Sequence, residues 1–212
     1  MYPKTIQNFI EKFSRLPGIG PRQAARLAFW MLNSEKNIRE DLKKAIESLE
    51  REIKICPSCY FTIENLPADK QVAGNGCHFC DNPVREHKTI CVVEKETDLA
   101  TIEKSGVYKG LYHVLGGLFS ALDTAVPKNL KIPELTLRIQ NKNKDSAVIE
   151  EVILAFSHTH EGDLTAYYLE KLLRPLKVRV TRLGRGLPYG SDVEFADAET
   201  LSGALESRRE IK

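Results

Sequence analysis

Four of the five cysteines in this chain stand in two C-x-x-C pairs, Cys56-Pro57-Ser58-Cys59 and Cys77-His78-Phe79-Cys80, separated by 17 residues. This spacing constrains the chain more than any other feature. Each pair forms a knuckle that turns two thiolates toward one point, and two knuckles together offer four soft ligands in the tetrahedral arrangement zinc prefers. The set is complete without an open position, so it predicts one structural zinc per chain rather than a catalytic one. The alternative is four unliganded thiols on a loop, open to oxidation and leaving the segment unfolded. His78 sits inside the second knuckle as a neighbour, and Cys91, in the apolar run Ile90-Cys91-Val92-Val93, reads as a small buried hydrophobe. Thiolates that must stay reduced point to a cytoplasmic protein.

Charge is uneven along the 212 residues. The chain carries a net +2, but residues 1–32 hold Lys4, Lys12, Arg15, Arg22 and Arg26 against Glu11 alone, so the rest is slightly acidic. A basic head suggests a polyanion partner there. No apolar run reaches the length of a membrane span, and the charged, amphipathic start is unlike a signal peptide. Within the head, Ile6, Phe9, Ile10 and Phe13 follow helical spacing up to Leu16-Pro17-Gly18-Ile19-Gly20-Pro21, where a second helix begins on Pro21 and buries Ala24, Ala25, Leu27, Ala28, Met31 and Leu32. A third helix spans about Glu35 to Lys54, with Ile38, Leu42, Ala45, Ile46, Leu49 and Ile53 expected inward. The Gly-rich turn places backbone amides at a helix N-terminus, a seat for phosphate, with Arg22 and Arg26 one turn apart beside it. Gly18, Ile19, Gly20, Arg22 and Arg26 are therefore the candidate DNA contacts, directed at phosphates rather than bases. A plain helix–helix turn with solvated arginines is the competing reading.

Residues 55–88 show no periodicity and too little apolar content for a core of their own, so metal is expected to supply their stability. From Thr89 onward, β-branched runs alternate with helical patterns, the grammar of a mainly parallel α/β sheet. Strands are expected at Ile90–Val93, Leu111–Leu115, Val152–Phe156 and Val178–Val180, with helices near 97–104, 133–142 and 163–174. Arg185-Gly186-Leu187-Pro188-Tyr189-Gly190 forms a tight loop, followed by an extended piece near Phe195 and a last helix from Ala198 to about Arg208. Such a sheet brings Glu94, Glu161 and Asp163 to its carboxyl edge, where they could bind a partner or weakly hold Mg²⁺. Alternatively, Glu161 and Asp163 simply favour the start of the next helix. No P-loop occurs, and no nucleophile stands beside the acids.

The LPGIGP hairpin with its RLAF continuation, the ICVVE strand, the VILAF…EGD…TAYYL segment and the terminal TRLGRGLPYG…FAD…TL…AL…RR string together resemble the RecR family of bacterial recombination mediators, over essentially the whole chain. The resemblance implies four parts: a helix-hairpin-helix DNA-binding region at 1–54, a C4 zinc finger at 55–88, a Toprim domain at 89–184, and a C-terminal loop and helix at 185–212. It places Glu94, Glu161 and Asp163 on the Toprim acidic positions. It implies a non-catalytic protein that acts with RecO and RecF to load RecA on gapped or single-stranded DNA, and that forms a homodimer or a ring-like homotetramer. A Toprim-type, Mg²⁺-dependent nuclease is the alternative. The chain departs from the family in three places: the longer finger loop Tyr60–Gly76, the loop Ser120–Pro127 without its usual Pro and Gly residues, and Ser157-His158 where relatives read Asn-Pro.

Overall fold

A computed structural model describes residues 2–65, 76–120, 127–140, 148–208 and 210. Most of the finger loop, most of the loop after Ser120, the end of the helix expected to reach 142, and Arg209 thus lie outside the described residues. The chain divides into two compact units, Met1–Ile53 and Lys54–Lys212.

In the first unit, α1 (Lys4–Phe13) and α2 (Pro21–Asn33) pack as a hairpin. Ala24 and Ala28, both buried, give α2 a small-residue face that a neighbouring helix can approach closely. The turn between them closes when the Ile19 N–H donates to the Leu16 carbonyl at 3.1 Å, which requires Gly18 to adopt a φ of 77°. That left-handed geometry suits glycine, which has no Cβ to clash. Pro21 then opens α2, where its missing N–H costs nothing.

Helix α3 (Lys36–Glu52) departs from expectation. Ile38, Leu42, Ile46, Leu49 and Ile53 form the anticipated stripe, yet all are exposed, Ile46 by 64% and Leu49 by 68%. Leu32 on α2 is likewise exposed. Periodicity identifies an apolar face correctly, but a face is buried only where the same chain supplies a surface for it, and a three-helix head supplies too little.

The second unit is built on a four-stranded, all-parallel sheet of order β4-β3-β5-β6, formed by β3 (Glu86–Val93), β4 (Gly110–Val114), β5 (Glu151–Ala155) and β6 (Arg179–Arg182). Alternation along the strands sorts their side chains onto two faces. Ile90, Val92, Leu111, Val152 and Leu154 meet Leu135 of α5 (Ile132–Gln140) and Leu169 and Leu173 of α6 (His160–Leu173). Cys91, Val93, Tyr112, Val114 and Ala155 face the other way, toward Leu99 of α4 (Glu96–Ser105). One helix cannot cover that second face. The rest of the cover is the cysteine segment: Cys56, Cys59, Ile63, Cys77 and Phe79 join the same buried cluster, next to the short hairpin of β1 (Ile53–Ile55) and β2 (Thr62–Glu64). The segment was expected to lack a core, and it does lack a private one; it shares the sheet's.

Smaller differences follow local chemistry. Helix α6 starts at His160 rather than 163 because Thr159 caps it, its hydroxyl accepting from the Gly162 N–H at 3.2 Å. Around Phe195 the backbone forms a 3-10 turn, Val193–Phe195, not an extended piece, before α7 (Ala198–Glu206), capped by Asp197. Among the described residues no helix is long and apolar enough to cross a membrane.

Candidate metal centre and nucleic-acid interface

The two knuckles converge. The Sγ atoms of Cys56, Cys59, Cys77 and Cys80 all lie within 4.8 Å of one another, with Cys59 and Cys77 at 3.6 Å and Cys56 and Cys80 at 4.0 Å. A tetrahedron with Zn–S bonds of about 2.3 Å has sulfur–sulfur edges of about 3.8 Å, a spacing that the 3.6 and 4.0 Å pairs bracket. None of the four pairs as a disulfide. Hydrogen bonding among the thiols drives their protonation apart: Cys56 falls well below an ordinary thiol through Cys59, Cys77 and Cys80, while Cys59 and Cys80 rise. Four sulfurs competing for the same protons is the arrangement that a divalent cation relieves, since metal binding requires thiolates. Around them, the Cys80 amide donates to Cys77 Sγ at 3.5 Å and the Cys77 amide to Asp81 at 2.9 Å.

The site is anchored on β4, one of the two edge strands of the sheet. An edge exposes unpaired amides and carbonyls that must be covered or left to water. Here the Val114 N–H donates to the Cys59 carbonyl at 2.8 Å, Arg85 donates to the Gly110 carbonyl at 2.8 Å, and Arg138 donates to the Tyr112 carbonyl at 2.6 Å. Arg85 also pairs with Glu103 and lies over the rings of Phe79 and Tyr112, while the Tyr112 hydroxyl donates to Glu103 at 2.9 Å. Burial works to raise Glu103, but hydrogen bonds from Arg85 and Tyr112 outweigh it and hold the carboxyl below its usual range. His113 is fully buried, its Nε2 set on the Lys131 carbonyl at 2.9 Å; burial, then the charge of Arg138, pushes it down to about 3, so the ring is neutral. Cys91 is buried and its thiol is pushed up to about 12. None of Arg85, Glu103, Arg138 or His113 is marked by a motif. Each has a partner 18 or more residues away in sequence, where spacing carries no signal.

On the helical head, Gly18 and Gly20 sit on an open surface where even an added Cβ would meet nothing within 4 Å. No side chain caps α2, and no acidic residue lies in its first turn. Arg22 and Arg26 are exposed on successive turns. Arg15, by contrast, is paired with Glu11 at 3.0 Å. The Ile19 amide is taken by Leu16, Pro21 has no N–H, and the Ala24 amide donates to the Gly20 carbonyl at 2.9 Å, so the amides of Arg22 and Gln23 are the ones in α2's first turn without an intrahelical acceptor.

At the carboxyl edge of the sheet, where Glu94, Glu161 and Asp163 are expected, Asp163 has two cationic partners. Asp163 is ion-paired to Arg182 at 2.6 Å and to Arg185 at 2.9 Å, and Arg185 also donates to His158 Nδ1 at 3.1 Å. Burial works against the charge on Asp163, but the two guanidiniums overcome it and lower its pKa. Glu94 is half-buried at the end of β3 and Glu161 is exposed. Among the described residues, the cysteines form the one group of metal-ligating side chains close enough to share an ion. Gly162 between the acids is needed for space: a Cβ there would lie 2.1 Å from the Ser157 carbonyl oxygen.

Comparison with known proteins gives three family matches, described as "RecR, helix-hairpin-helix" at residues 6–49, "Toprim domain" at 88–184, and "RecR, C-terminal" at 186–209. Curated relatives match over nearly the full length. "Recombination protein RecR" of Bifidobacterium longum subsp. infantis is 43% identical over 99% of this chain and 98% of its own. The proteins of the same description from Roseiflexus sp. and Pelotomaculum thermopropionicum are each 41% identical, over 99% and 100% of this chain and 95% and 98% of theirs.

Proposed function

Because the chain belongs to the RecR family of recombination proteins, we propose that it is a non-catalytic, DNA-binding mediator of recombinational repair, acting with RecO and RecF to help load RecA on gapped or single-stranded DNA. The observation that carries this reading is the uncapped, acid-free start of α2 beside the exposed pair Arg22 and Arg26. Amides, a helix's positive end and two guanidiniums on one side suit a run of phosphates. Gly18, Ile19 and Gly20 shape that turn. Cys56, Cys59, Cys77 and Cys80 hold one zinc per chain, whose chemistry is to tie two distant knuckles into one rigid finger. In domain terms the reading is helix-hairpin-helix 1–54, finger 55–88, Toprim 89–184 and C-terminal segment 185–212, in a cytoplasmic protein.

Self-association completes the proposal. The exposed stripe Ile38, Leu42, Ile46 and Leu49 on α3 is the kind of apolar face a second copy covers, in a homodimer or a ring-like homotetramer. Glu94 and Glu161, with Asp163 between its arginines, form a surface for a basic protein partner or for weak Mg²⁺ binding. The nuclease alternative has weaker support, because Asp163 is already committed to two cations, and the imidazole beside it, His158, is itself held by Arg185. Pure protein incubated with labelled DNA and Mg²⁺ tests the choice. Binding that weakens steeply with salt and leaves the DNA intact is expected; Mg²⁺-dependent strand cleavage would overturn it.

A further inference from the structure

The four cysteines are not equally covered. Cys56, Cys59 and Cys77 are at most 1% exposed, while Cys80 is only partly buried. A zinc bound by four thiolates carries a net negative charge, and the sulfur nearest solvent is where water, a chelator or an oxidant would first compete. At that sulfur stands a cation from elsewhere in the fold. Arg138, in the last turn of α5, donates through Nη1 to the Tyr112 carbonyl at 2.6 Å and through Nη2 to Cys80 Sγ at 3.6 Å. One planar guanidinium thus holds the edge of β4 and one metal-ligating sulfur together. Its forked donors suit two acceptors at once, which a lysine's single ammonium does not reproduce.

We propose that Arg138 is a positioning residue for the metal centre: it fixes the Cys80 thiolate and offsets its charge, so that the Toprim helix α5 sets how tightly the finger keeps its zinc. The inference rests on the reading of the four cysteines as a zinc site. Outer partners of metal ligands change affinity when removed although they touch no metal. Arg138 differs from Arg85, which also ties the finger to the sheet but does so through Phe79, Glu103 and the Gly110 carbonyl, with no hydrogen bond to sulfur.

The test uses the full chain, zinc-loaded, as parent, R138Q, R138K and R85Q. Competition with a chromogenic chelator should show zinc held about 10–100-fold less tightly in R138Q, with R138K between it and the parent. Release during peroxide challenge should quicken in the same order. In Co²⁺-substituted protein the sulfur-to-cobalt charge-transfer band should shift in both Arg138 variants and stay in place in R85Q, a difference that loosened packing alone would not produce. Parent-like affinity and an unshifted band in R138Q would overturn the proposal while leaving the zinc site standing. A parent that takes up no zinc overturns both. Should R138Q fail to fold, R138K decides, and parent-like retention and spectrum there overturn the proposal.

Discussion

Truncating Phe79 to Ala tests whether the finger is an appendage or part of the Toprim core. The ring is 2% exposed and meets Tyr112 and Phe61 edge-on, each with centroids 5.2 Å apart, while the Arg85 guanidinium lies 4.8 Å from its centroid. Removing a fully buried Phe from a packed site costs about 3–5 kcal/mol through lost transfer energy and the cavity left behind. Each aromatic pair accounts for about 0.5–1.5 kcal/mol of that. In a unit of this size about 2–4 °C of melting temperature is lost per kcal/mol, so the sheet's own unfolding should drop by about 6–20 °C. Calorimetry of the zinc-loaded full chain, with zinc release followed through the same scan, measures both events. Since Phe79 is not a ligand, the folded variant should still hold its zinc. If zinc release moved to lower temperature while the sheet melted as in the parent, the shared core would be refuted and the finger would be a separate unit.

Replacing Arg22 and Arg26 together by Ala should weaken DNA binding equally for all sequences and flatten the log-affinity against log-salt slope by about 1.4–1.8 per hairpin engaged, with stability changed by less than about 0.5 kcal/mol. A salt titration with unchanged slope and affinity would assign the hairpin to a purely structural role. Cys56→Ser should cost about 4 kcal/mol or more, as loss of a structural metal does, and elemental analysis should find well under one zinc per chain where the parent holds about one. Asp163→Asn removes a carboxylate whose folded pKa lies below its unfolded value. The pairing therefore stabilises above the ordinary aspartate range and is lost as pH falls through the folded value. Melting curves of parent and variant should differ at neutral pH and converge in acid; a constant gap would mean that the ion pairs with Arg182 and Arg185 contribute nothing.

What could be read from the sequence alone was whatever is written locally. The cysteine cluster is visible because a knuckle is four residues long, the hairpin because Gly18 and Pro21 shape one turn, and the parallel sheet because β-branched runs alternate with helical periods. Even the stripe on α3 was legible as a stripe. Its exposure was not, because periodicity states which residues share a face and says nothing of whether a partner exists for it.

The tertiary structure decided everything that depends on meeting across long separations. Only the packed sheet shows that the cysteine segment covers the face α4 leaves open, so that a stretch too polar for a private core is stabilised by a shared one. Only the edge position of β4 explains why Arg85 and Arg138 are where they are, each satisfying a carbonyl that no neighbouring strand can reach. Asp163, read as part of an acidic cluster, became one end of a two-arginine ion pair because β6 and the segment after it return to the carboxyl edge of the sheet. Charge and spacing along the chain name the groups that must be satisfied; the fold alone determines which group satisfies which.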